Sequence, residues 1–107
     1  MVVFAVWEPI LPSDFSKPTT SALGRLSDNR VRQFWDPNHL MSGALKEAQA
    51  AGKIRPECCE RKGSLWDLAT VYAPGAVWRK TPPEPIIQNG PVVRTTSTLD
   101  SVLANNK

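Results

Sequence analysis

The sequence predicts an α/β fold, a mixed sheet flanked by helices. Three observations carry that expectation. An apolar, β-branched run stands near the start, segments with strand and helix periods alternate behind it, and the last two strand signals lie close enough to pair antiparallel. A chain of 107 residues predicts a single domain over residues 1–107. With 41% hydrophobic residues, 21% charged residues and four tryptophans, it lies far from the composition that keeps chains disordered.

Val2-Val3-Phe4-Ala5-Val6-Trp7 is apolar on both alternating faces, as an interior strand of a sheet reads. Pro9 and Pro12 end it by removing ladder donors. The stretch from Ser13 to Thr20 reads as a loop. Thr20 or Ser21 then caps a short helix bearing Ala22, Leu23 and Leu26. Val31-Arg32-Gln33-Phe34-Trp35 alternates as a short strand. Asp36-Pro37 follows as a helix start, with the carboxylate taking free N–H groups and proline in the first helical position. Leu40, Met41, Ala44, Leu45 and Ala48 recur at helical spacing, and Gly52 is the stop. Leu65–Tyr72 reads as one continuous strand, and Pro74-Gly75 as a turn. Ile86-Ile87 and Val92-Val93 flank Asn89-Gly90 like the arms of a hairpin, a signal that Pro91 weakens. Ser97 and Asp100 form a capping pair ahead of Leu99, Val102 and Leu103, which predicts a terminal helix.

Charge excludes some partners. Thirteen basic residues against ten acidic ones give +3, and the densest basic group, Arg25, Arg30 and Arg32, is interrupted by Asp28. No stretch interleaves basic and aromatic residues, so nucleic acid is not an expected partner. The longest apolar run, ending at Trp7, is far shorter than the ~20 residues of a membrane span. A cytoplasmic location without membrane contact is expected. The six glycines are spread singly, with no phosphate-cradling loop, and no cofactor is expected.

The chemistry that stands out is Cys58-Cys59. A disulfide between neighbouring residues closes a strained eight-membered ring, so the pair reads better as two thiolates for a soft ion such as mercury, arsenic(III) or copper(I). Arg55, Arg61 and Lys62 favour the thiolates, while Glu57 and Glu60 oppose them. The plainer alternative is two reduced thiols idle in a loop; redox sensing is a further one. His39, the sole histidine, is placed in the first turn of a helix, as a surface residue or a third ligand to the cysteines. Glu8 and Asp14 lie beyond the end of a strand, where α/β proteins place ligands, though loop solvation explains them too. Trp7, Glu8, Trp35 and Trp66 are candidates for lining an aromatic pocket; core filling is the alternative for the tryptophans. Trp35-Asp36 and Trp66-Asp67 each offer an indole N–H beside a carboxylate. No serine lies in a nucleophile-elbow pattern, and no catalytic residue is assigned.

The element order, with Val31–Trp35, Asp36-Pro37 and the helix behind them, makes the chain resemble thioredoxin-like proteins of the redoxin and thiol-disulfide oxidoreductase branch. The phrases Trp7-Glu8-Pro9, Phe34-Trp35-Asp36, Leu65-Trp66-Asp67 and Gly75-Ala76-Val77-Trp78 also resemble a bacterial thioredoxin-like group. The resemblance implies that Val2–Trp7 corresponds to the central strand after the active-site helix. It covers the part of that fold lying after the family's Cys-x-x-Cys. No such motif occurs here, and Gly63-Ser64-Leu65 stands where the family carries its cis-proline. A strand written for two neighbours is then left with an open edge and an uncovered apolar face, which predicts a homodimer. The functional expectation is a non-catalytic protein that binds a partner or a thiol-reactive soft metal or metalloid through Cys58 and Cys59. The alternative is a thiol-disulfide oxidoreductase or redox sensor using the same pair.

Overall fold

A computed structural model describes residues 1–10, 16–52, 59–61 and 63–105. The chain is α/β, with parallel and antiparallel strand pairs and three helices, and it divides into two compact units, Met1–Met41 and Ser42–Lys107.

In the first unit β1 (Val3–Trp7) and β2 (Val31–Trp35) run parallel, with Val3 opposite Val31 and Trp7 opposite Trp35. Parallel strands need a crossover, and α1 (Thr20–Leu23), continued by a 3-10 turn over Gly24–Leu26, lies within it. Thr19 caps α1, its hydroxyl accepting the Ala22 N–H at 3.2 Å. The Gln33 amide donates to the carbonyls of Leu23 and Leu26, which ties the crossover to the sheet face bearing Gln33. On that face the Trp7 indole N–H donates to Gln33 Oε1 at 2.9 Å. The opposite face carries Phe4 and Phe34, ring centroids 5.9 Å apart, and stays open: Phe4 is 59% and Phe34 50% exposed.

Helix α2 (Leu40–Ala50) starts at the end of the first unit. Asp36 caps it as the sequence predicts, but from further away. Its two carboxylate oxygens accept the N–H groups of Leu40 and Met41 at 3.0 and 2.8 Å. Pro37 is not the first helical residue, because Pro37-Asn38 turn and His39 adopts φ 55°, a left-handed conformation that a helix cannot contain. His39 therefore precedes the helix instead of lying in its first turn.

The second unit holds two antiparallel pairs. β3 (Glu60–Arg61) pairs with β4 (Ser64–Leu65), Gly63 supplying the φ of 81° that the tight turn needs. β5 (Ala69–Val71) pairs with β6 (Ile87–Asn89). A 3-10 turn, Val92–Arg94, leads into α3 (Thr96–Asn105). Ala48 and Leu65 are buried at 0% and 3% exposure, and the polar Ser42 and Thr95 are buried too. No helix among the described residues is long and apolar enough to cross a membrane.

The strands depart from the sequence reading in four places, two of them with a local cause. The strands form three two-stranded sheets among the described residues, where one mixed sheet was expected. Val2–Trp7 is not seen as an interior strand flanked on both sides: among the described residues β1 pairs with β2 alone, and Phe4 on one of its faces is exposed. Leu65–Tyr72 breaks into β4 and β5 because Asp67 takes φ 53° and turns its carboxylate to the Val92 N–H at 3.2 Å. Val92-Val93 does not pair with Ile86-Ile87. Pro91 lacks a donor and hands the chain to a 3-10 turn, so β6 pairs back to β5 instead.

One charge pair sets a pH dependence. Hydrogen bonds from the Arg30 side chain, then its backbone N–H, pull the Asp28 carboxyl down from 3.8 to about 2. A carboxyl lowered in the folded state adds stability above its unfolded value and loses it as pH falls through the folded one. An NMR titration of the Asp28 carboxyl is expected to give a midpoint near 2, returning toward 3.8 in Arg30→Ala. A midpoint unchanged by that substitution would contradict the assignment.

Candidate functional site

The sulfur chemistry sits at the foot of the β3–β4 hairpin. Cys59 is half-buried and disulfide-bonded. The sequence offers it one partner within the chain, Cys58, which lies outside the described residues. The described cysteine is thus oxidised, where the sequence reading favoured thiolates. Its backbone has φ 84°, uncommon for a residue with a side chain. Its carbonyl accepts the Trp66 N–H at 2.9 Å and extends the hairpin ladder by one bond beyond Glu60 and Leu65.

Two anchors from α2 hold this hairpin. The Ser42 hydroxyl accepts the Leu65 N–H at 2.8 Å in a buried setting. Lys46 Nζ meets Glu60 Oε1 at 2.8 Å and donates to the Gly63 carbonyl at 2.7 Å. The Glu60 carboxylate next to Cys59 is therefore ion-paired to α2. Arg55, Glu57 and Lys62, weighed with it from sequence, lie outside the described residues, as does Asp14.

In the first unit the structure brings together two residues nominated separately, Glu8 and His39. Glu8 follows β1 and His39 follows β2, so both sit past the carboxyl ends of a parallel pair, the usual ligand side of such sheets. His39 Nδ1 lies 3.4 Å from Glu8 Oε1, an electrostatic contact and too long for a good hydrogen bond. The Glu8 side chain is mostly buried, while that of His39 is a third exposed. The left-handed turn at His39 makes this approach, and nothing in the sequence marks it. Trp7 and Trp35 are register partners beside them, both half-buried. Trp66 belongs to the second unit, as does Cys59. The carboxylates of Asp36 and Asp67, each following a tryptophan in sequence, accept backbone N–H groups of Leu40 and Met41 and of Val92 respectively. Among the described residues no group of three or more His, Cys, Asp or Glu side chains is placed to hold a metal ion.

No family model, curated protein or solved structure matches the chain.

Proposed function

We propose that this chain is a thiol-responsive protein in which Cys58 and Cys59 pass between a disulfide and a dithiol, the dithiol form being the one that takes a soft metal or metalloid. The observation that carries the reading is the disulfide at Cys59, on a residue whose carbonyl holds Trp66 and whose neighbour Glu60 is tied to α2. Reduction consumes two electrons and two protons from two thiol molecules, which leave as their own disulfide. The freed adjacent sulfurs then suit a thiophilic ion such as arsenic(III). Thioredoxin-like kinship is retained as part of the proposal. The parallel β1–β2 pair with a helical crossover supports it, and the thiol chemistry would be displaced to the hairpin.

The test is a thiol count and a mass. Air-equilibrated protein is expected to show no reactive thiols, and two after reduction. Arsenite is expected to add one arsenic to reduced protein only, and none to Cys59→Ser. Reduction should also shift tryptophan fluorescence, an effect that Trp66→Phe abolishes. Two persistent thiols in oxidised buffer, or disulfides that form only between chains, would sink the reading.

A further inference from the structure

The hydrogen-bond register of the parallel pair leaves one edge of β1 without a strand. The Val3 N–H donates to the Arg30 carbonyl, and the Trp7 carbonyl accepts the Asp36 N–H. The odd-numbered residues of β1 therefore turn their backbone groups toward β2. Those of Phe4 and Val6 point the other way, where no strand neighbours β1 among the described residues. Open edges of this kind recruit a further strand.

We propose that β1 pairs antiparallel with β1 of a second copy of this chain, about a two-fold axis at Phe4, giving a continuous four-stranded sheet ordered β2-β1-β1-β2. The inference is independent of the thiol reading. Three features favour a second copy over another partner. First, a two-fold centred on Phe4 sets Phe4 against Phe4, Val2 against Val6 and Val3 against Ala5, so every cross-strand pair is apolar. Second, residues 2–7 carry no charged side chain, so nothing repels at the axis. The charged residue on the same face, Arg32, sits one strand further out. The two copies of it stand about 14 Å apart across three strand spacings, beyond a screening length of about 8 Å at physiological salt. Third, Val2, Val3 and Phe4, three of the five residues in the pairing, are exposed here. The Phe4–Phe34 contact would extend across the axis into an aromatic row of four rings. The outer edge of β2 is a poorer candidate, since the Val31 N–H already donates to the Asp28 carbonyl.

The experiment is light scattering and native mass spectrometry on the 107-residue chain with Cys58 and Cys59 both changed to serine, so that thiol exchange cannot link copies. A dimer is expected at high micromolar concentration. Phe4→Lys is expected to give a folded monomer, with circular dichroism as the fold control. Phe34→Lys, on the same face but on β2, is expected to leave the dimer in place. Phe4→Cys is expected to oxidise to a covalent dimer, because directly opposed Cα atoms in a hydrogen-bonded pair lie about 5.5 Å apart, within disulfide range. A monomer at every concentration overturns the proposal. So does a dimer broken equally by Phe34→Lys, which would mean face-to-face packing, or a dimer in which Phe4→Cys fails to cross-link.

Discussion

Leu65→Ala is expected to cost about 2–5 kcal/mol, the usual range for truncating a buried leucine to alanine. Leu65 is 3% exposed, and it occupies the end of β4 opposite Glu60. Few described side chains are buried as deeply. Large hydrophobics such as Leu40 and Val93 are exposed, so little packing elsewhere compensates for a void at Leu65. For a domain of this size such a loss lowers the melting temperature by roughly 10–20 °C. Thermal unfolding followed by far-ultraviolet circular dichroism measures it. A shift below about 3 °C would mean that the hairpin does not take part in the cooperative core.

The position of that leucine was only half legible. Its strand signal is plain, because Leu65 begins a largely apolar run, but the run continues to Tyr72 and hides the break at Asp67. Period alone cannot reveal a left-handed residue whose carboxylate is claimed by Val92 from elsewhere in the chain. The Asn89-Gly90 signal misled for a related reason. A local turn preference competes with pairing partners, and β5 supplied a better one for Ile87–Asn89. Val31–Trp35 was legible because alternation, length and the following Asp36 agree. Of the candidate site, the residue types were readable and their company was not. Glu8 and His39 stood out individually, but their approach depends on a turn geometry with no glycine to announce it.

Ser42 was invisible for the opposite reason. On the helical wheel it reads as a polar residue beside the apolar stripe, yet it is 2% exposed and its hydroxyl is the acceptor for the Leu65 N–H. Ser42→Ala keeps the helix, since alanine is the better helix former, and leaves that N–H buried without an acceptor. The expected cost is about 1–3 kcal/mol, the desolvation penalty of an orphaned donor. Combined with Leu65→Ala the losses should not add, because both changes loosen the same strand, and a double-mutant cycle is expected to give a coupling above about 0.5 kcal/mol. The hairpin that Ser42 holds also carries Cys59 at its foot, through the Trp66 bond. Local opening of the hairpin exposes the disulfide to a reducing thiol. Ser42→Ala should therefore speed reduction at Cys59 about five- to a hundredfold, tenfold for each ~1.4 kcal/mol of opening free energy it removes, while the final thiol count stays the same. Stopped-flow reduction read by tryptophan fluorescence measures that rate. If Ser42→Ala lowers stability but leaves the reduction rate unchanged, the disulfide is already accessible in the closed hairpin, and the link between α2 and the sulfur chemistry fails.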